Sequence, residues 1–185
     1  MNSLQIIYVC VYIFQLHTVS ASGLNNVVVV VSDDAPTDAV TKDDFEGDDF
    51  KELGSHEGEI NEGDVIKVKP DESVPGQFIV IYAPEGDLAL GDVKVYVKPA
   101  KTPGEPEGPG GPDGPDGPEE VTNPDQETGG SGGEHPENGN DGNPDTCFTA
   151  EADDELAPFW SLNLGKEWDI VAVHVVACAE DRKYT

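Results

Sequence analysis

Basic residues are scarce in this chain of 185 residues. It has 10 Lys and Arg against 38 Asp and Glu, which gives a formal net charge of -28 at pH 7. Nucleic-acid binding needs clustered Lys and Arg for the phosphates, and docking on anionic lipid needs the same cations. The composition argues against both classes of protein. It predicts partners that are positively charged: calcium, a mineral surface or cationic matrix proteins.

A membrane-spanning apolar run is also missing from the sequence. The apolar stretch 6–16 reads IIYVCVYIFQL and is too short to cross a bilayer. Residues 1–21 contain no Asp, Glu, Lys or Arg, and the stretch ends in Val19-Ser20-Ala21, small residues that suit a signal peptidase. We therefore expect 1–21 to be a signal peptide and the product to be secreted and extracellular. A buried strand or an uncleaved anchor is the alternative interpretation.

Cysteine is rare, with three in the chain. Cys10 falls in the predicted signal peptide, which leaves Cys147 and Cys178 as a pair in an oxidising compartment. A disulfide between these two is the simplest hypothesis, and two free or intermolecular thiols are the alternative. No Cys/His cluster has the spacing of a zinc site.

Catalytic motifs are lacking as well. The sequence contains no GxSxG element and no P-loop, and acidic pairs such as Asp43-Asp44 are typical of solvated surface. We predict that the protein is not an enzyme.

What the sequence does contain is short alternating or β-branched runs separated by turn residues, with no sustained helical period. In the segment 22–98 these runs predict strands at 26–32, 64–69, 77–83, 88–90 and 93–97. The segment 141–185 holds both Trp residues and a further strand, 170–177. In that strand a simple alternation puts Ile170 and His174 on one face, and we expect no ligand role for His174. The pattern predicts an all-β fold, an antiparallel β-sandwich.

Between these segments, residues 99–140 are acidic and rich in Gly and Pro. From 103 to 145 there is no Lys or Arg, and 108–119 reads GPGGPDGPDGPE. Such a segment cannot bury enough apolar surface to offset its loss of conformational entropy on ordering. We expect a long disordered linker that interrupts the sandwich.

The third segment resembles the F-type lectins (fucolectins). The similarity lies in Asn138-Gly-Asn-Asp141-Gly142-Asn143, in Thr146-Cys147, and in the stretch 157–165, APFWSLNLG. The stretch 76–97 is similar to the closing part of the same domain. The resemblance implies a discoidin-like, jelly-roll β-sandwich. Here the closing half, 22–98, precedes the opening half, 141–185. The chain is either a circularly permuted single domain or two half-domains from a tandem array.

The resemblance also implies a calcium site. The positions that match the family's calcium ligands are Asn138, Asp141, Asn143 and Thr146, with Asp92 in the closing strand and Gly91 at a position where the family has Cys. If the halves form one domain, Asp92 should lie close to the loop, and Ile79, Val93 and Val95 should pack near Trp160 or Leu162.

The family's sugar-binding residues are not retained in this chain. Thr149 stands where the family has a fucose-contacting His, and the segment 24–98 has no Arg. The sequence therefore predicts a secreted acidic extracellular-matrix protein of the shell or skeletal type, associated with calcium or a biomineral. A soluble calcium-dependent carbohydrate-binding lectin, with glycans as partners, is the alternative.

Overall fold

Antiparallel strands make up most of the computed structural model, which describes residues 24–36, 41–98, 117–122, 128–131, 133–152 and 156–178. Within those residues ten strands join one sheet, and helix is limited to one turn, α1, and a 3₁₀ helix. The all-β prediction is confirmed. The elements are β1 (Asn25–Ser32), α1 (Lys42–Phe45), β2 (Phe50–Glu59), β3 (Val65–Val68), β4 (Val74–Tyr82), β5 (Leu88–Val97), β6 (Glu119–Glu120), β7 (Thr128–Ser131), β8 (Gly133–Glu134), the 3₁₀ helix (Pro136–Asn140), β9 (Phe148–Ala150) and β10 (Phe159–Ala177).

The long strand β10 organises the sheet. Its first part pairs with β4 and β7 at the same residues, so these two strands lie on its opposite edges. Its last part pairs in the same way with β3 and β5. Because β4 and β5 both pair with Ile170, they also occupy opposite edges. One edge of β10 therefore meets β4 and then β3, and the other meets β7 and then β5.

A register shift divides β10 into these two parts. The pairing with β4 is interrupted between Asn163 and Trp168, and Gly165 within the interruption has φ 77°. That is the left-handed region, which a residue with a Cβ adopts only at a cost, so glycine suits the position. Such an interruption bends the strand and increases its local twist. The bend lets one strand serve two sets of neighbours.

The core is made of β-branched and aliphatic side chains from both halves of the chain. Ile79 of β4 lies opposite Leu162 of β10, and Val93 of β5 lies opposite Val175. All four side chains are buried in one cluster, together with Trp160. The strands of 22–98 and 141–185 thus share one sheet and one core.

The faces of β10 differ from the predicted alternation. Ile170 is buried on the same side as Val173 and Val175, whereas His174 is half-buried on the other side. The cause is a second register shift, between Ile170 and Ala172, where one residue of β10 has no partner on β5. A bulge of this kind moves a side chain to the other face, and simple alternation cannot anticipate it.

Part of the segment predicted to be disordered is ordered instead. Within 99–140, β6 pairs with β5, β7 pairs with β10, β8 pairs with β9, and the 3₁₀ helix follows. Backbone pairing orders these residues although their side chains are small or acidic. The predicted signal peptide and residues 99–116 lie outside the described residues.

A smaller apolar cluster covers the outer face of β1, β4 and β10. Phe45 of α1 packs there on Val30, Val80, Tyr82 and Phe159. The α1 turn is held by Asp44, whose carboxylate accepts the backbone N–H of Thr41 at 2.8 Å. This acidic turn, which interrupts the alternating pattern, therefore brings an aromatic side chain onto the sheet.

The buried core predicts that a substitution which leaves a cavity lowers the free energy of unfolding. Ile81 is fully buried and lies opposite both Val29 and Trp160. We expect Ile81→Ala to lower the free energy of unfolding by about 2–5 kcal/mol, from lost burial and the residual cavity. The exposed Val65→Ala should stay within about 0.5 kcal/mol of the wild type. Urea unfolding measures both, and equal effects of the two changes would contradict the described core.

Candidate functional site

The candidate site lies where β5 meets the loop 135–147. The register of β5 against β10 skips Gly91, between Leu90 and Asp92, so β5 has a bulge there. Asp92 follows the bulge directly; it is 4% exposed and is the one buried charged residue of the described chain. Gly91 lies against the loop and the end of β10: a Cβ built on it would be in ordinary contact, at 3.4–3.5 Å, with Pro144 and the Ala177–Cys178 backbone. The strand thus delivers one carboxylate to the loop.

Trp160 fixes the start of the loop. Its indole N–H donates to the backbone carbonyl of Pro136 at 2.7 Å, and its ring lies against Gly139. A Cβ on Gly139 would come within 2.5 Å of the indole nitrogen, so this contact excludes larger residues. The side-chain amide of Asn140 donates to the carbonyl of Val93, which ties the 3₁₀ helix to β5 beside Asp92.

Asp141 organises the following turn. One carboxylate oxygen accepts the backbone N–H of Asn143 at 2.8 Å, and the other lies 2.6 Å from the hydroxyl of Thr146. The side-chain oxygen of Asn143 accepts the N–H of Asp145 at 3.2 Å. The side-chain amide of Asn138 donates to the carbonyl of Cys147 at 3.1 Å. The polar side chains of the turn therefore hold one another in place.

Burial is the main influence on the charge of Asp92. It raises the pKa of that carboxyl above its ordinary value of 3.8, and the negative charge of Asp141 adds to the increase. The charge of Lys94 and the backbone N–H groups of Val93 and Gly142 act in the opposite direction. The carboxyl of Asp92 thus accepts the backbone N–H of Gly142 and feels the charge of the neighbouring Asp141. The Asp92 side chain has also lost most of its contact with water.

A disulfide closes the far end of the loop. Cys147 and Cys178 are bonded, with Cα atoms 5.6 Å apart, which confirms the predicted pairing. The backbone N–H of Cys178 donates to the carbonyl of Ala89 on β5 at 3.3 Å. The bond therefore joins the end of the loop to the end of β10, next to the bulge that carries Asp92.

The structure brings four of the five predicted ligand residues together around Asp141, and Asn138 contacts the carbonyl of Cys147 at the end of the loop. Asn138, Asp141, Asn143 and Thr146 share the loop, and Asp92 reaches it from β5. Among the described residues, no three His, Cys, Asp or Glu side chains are grouped so that they could hold a metal ion. A cation here would need neutral oxygens of Asn, Thr and backbone in addition to two carboxylates. Calcium accepts that mixture of ligands.

Sequence analysis missed the residues that support the loop. Trp160 and Gly139 were part of the resembling stretches, but their contact was not anticipated, and Asn140 gave no signal of its contact with β5. Gly139, between Asn138 and Asn140, indicates a turn in the sequence. Its contact, Trp160, lies 21 positions further along the chain. The contact between Gly139 and Trp160 is visible only in the folded structure.

Comparisons with family models, curated proteins and solved structures find no match. The resemblance to F-type lectins therefore stays a prediction. Within the described residues, no helix is long and apolar enough to cross a membrane.

The disulfide should contribute substantially to stability. The two cysteines are 31 residues apart. Closing a loop of that length lowers the conformational entropy of the unfolded chain, which raises its free energy by about 3–4 kcal/mol. We expect the Cys147→Ala/Cys178→Ala double variant to lose about that much free energy of unfolding. Denaturation with and without reductant measures it: reductant should destabilise the wild type and leave the variant unchanged.

The charge of Asp92 should make stability depend on pH. Because its pKa is raised in the folded state, the protonated form stabilises the fold at low pH, and this contribution is lost as pH rises above 3.8 towards the raised value. In calcium-free buffer, Asp92→Asn should therefore gain stability relative to the wild type between pH 4 and pH 7.

Unfolding curves at several pH values in chelator test this expectation. The exposed Asp71→Asn, which removes the same charge elsewhere, is the matched control and should track the wild type. A difference between Asp92→Asn and the wild type that does not change with pH would contradict the argument.

Proposed function

We propose that the protein is a secreted acidic extracellular-matrix protein that binds calcium, and that the loop 138–147 with Asp92 is its specific calcium site. One observation carries the proposal. Asp92 is buried beside Asp141, a member of a loop that also carries Asp145 and the neutral side-chain oxygens of Asn138, Asn143 and Thr146. Burying a carboxylate next to another is costly unless a cation compensates the charge.

The donor set fits calcium better than other ions. Asp92 and Asp141 supply carboxylates, and Asn138, Asn143 and Thr146 supply neutral oxygens. Calcium takes six to eight oxygen ligands, whereas zinc prefers nitrogen and sulfur, and the two cysteines nearby are oxidised. A bound ion would supply the positive charge that the carboxylates lack, and the chain's own part is to hold the loop in position through Trp160.

The remaining carboxylates support a second, weaker mode of calcium binding. Acidic residues outnumber basic ones by 38 to 10, and most of the acidic side chains described are exposed. Calcium relieves the repulsion between crowded surface carboxylates. Such a surface suits contact with a cationic mineral face or with cationic matrix proteins, as in a shell or skeletal matrix.

We also propose that the sheet closes as a discoidin-like, jelly-roll β-sandwich in permuted order. The pairing of β10 with strands of the segment 22–98 on both edges supports one domain over two separate fragments. The alternative function, a calcium-dependent lectin, has less support. Thr149, which stands where the family has a sugar-contacting His, is exposed on β9.

Calcium titration tests the proposal. Calorimetry of the wild type should show one tighter site followed by weak uptake at millimolar calcium. Asp141→Asn should weaken the tighter site about tenfold or more, because a charged ligand is lost, and leave the weak uptake nearly unchanged. Calcium should also raise the wild-type unfolding temperature in proportion to its occupancy.

The control is Asp71→Asn, which removes one exposed carboxylate outside the loop. It should retain the tighter site. A wild type that binds calcium only in the weak mode, or an Asp141→Asn protein that matches the control, would refute the specific site.

A further inference from the structure

A cavity lies on the outer face of the sheet, away from the proposed calcium site. It has a volume of about 430 Å³ and is formed between α1, the start of β2, and the strands β1 and β4. Its lining combines aromatic rings with charged residues. The rings are Phe45, Phe50 and Tyr82, and the charged residues are Lys42, Glu46 and Glu52. Its size is within the usual range of small-molecule sites.

The aromatic side chains form a compact cluster. Phe45 stacks on Tyr82 with ring centroids 4.4 Å apart and 15° between the planes, and it meets Phe50 edge-on at 5.2 Å. Phe45 and Tyr82 are buried, whereas Phe50 is half-buried. The rings support one another, and Phe50 is the ring with surface left to offer to a ligand.

Negative charge surrounds this cluster. Burial raises the pKa of the Tyr82 hydroxyl, and the charges of Glu46 and Glu52 raise it further. Both carboxylates therefore exert their field at the aromatic floor of the cavity. Aromatic faces are themselves regions of negative potential, so the rings and the carboxylates both favour a positively charged ligand.

We propose that this cavity binds an organic ammonium group, such as a lysine side chain of a cationic partner or a quaternary ammonium ion. An alkylammonium group presents both a positive charge for Glu46 and Glu52 and an apolar surface for Phe50. An inorganic cation presents only the charge, and an anion meets two carboxylates in a chain of net charge -28. That net charge also steers cationic ligands towards the protein.

Lys42 lines the same cavity and provides an internal check. Its positive charge repels a cationic ligand. Replacing it by the uncharged Met should therefore tighten ligand binding. A cavity for anions or for neutral molecules would not respond in that direction.

The experiment is an NMR titration of the full chain with tetramethylammonium chloride and with n-butylammonium chloride, the second as a mimic of lysine. Each should give saturable shifts of the Phe50 and Tyr82 ring protons, and the same concentrations of sodium chloride should not. Tighter binding of n-butylammonium indicates a lysine side chain as the source, and tighter binding of tetramethylammonium indicates a quaternary ammonium ion.

Variants separate recognition by the rings from general attraction of cations. Phe50→Leu should weaken binding of both ammonium ions about fivefold, because the ring face is lost while the apolar volume is largely kept. Glu46→Gln and Glu52→Gln should each weaken it about threefold, and Lys42→Met should strengthen it by a similar factor. Glu57→Gln, on β2 but outside the cavity, is the matched control and should behave as the wild type.

Three outcomes would overturn the proposal. They are the absence of saturable shifts, shifts that sodium chloride reproduces, and a Phe50→Leu variant that binds as tightly as the Glu57→Gln control. None of them depends on calcium, so the proposal can fail while the calcium site stands, and the reverse also holds.

Discussion

The hydrogen bonding of β10 on both of its edges is the constraint on which the rest of the structure depends. A strand in the middle of a sheet needs partners wherever its backbone is buried, because buried backbone groups must be paired. β10 obtains them from β4 and β3 on one edge and from β7 and β5 on the other. The same strand carries Trp160, which holds the loop 135–147, and ends beside Cys178, which closes that loop. Core, loop and disulfide thus share one element.

Sequence reasoning found the elements whose pattern is local. The β-branched run of β1 and the alternation of β3, β4 and β5 predicted strands, and the loop residues and the disulfide partners were identified. It missed β2, an edge strand paired with β1, because most side chains of β2 are polar and exposed and show no clear alternation. It also missed the bulges at Gly91 and before Ala172, since a bulge is set by pairing with another strand. The position of Asp92 follows from such a bulge. The sequence therefore indicates the loop residues of the site but not how Asp92 is placed beside them.

The scarce cations are not spread evenly over the structure. On the outer face of the sheet, Lys67, His174 and Lys94 lie side by side on three neighbouring strands. Burial lowers the pKa of His174, and the charge of Lys67 lowers it further. Glu120 on β6 forms an ion pair with Lys94 at 3.4 Å. A short strand from the acidic segment is thus set against one of the few basic residues, and this ion pair adds to the backbone pairing of β6 with β5.

The chain order of these partners has a consequence for how the protein folds. β10 follows all of its partners in the sequence, and its pairing with β3 and β4 joins residues about 80–110 positions apart. Contacts of such high separation form slowly, because a long loop must close first. During synthesis β3, β4 and β5 must wait with open edges until residues 159–177 emerge, a state prone to aggregation. Acidic residues outnumber basic ones by 38 to 10, and the mutual repulsion of such chains opposes the association of unfinished sheets.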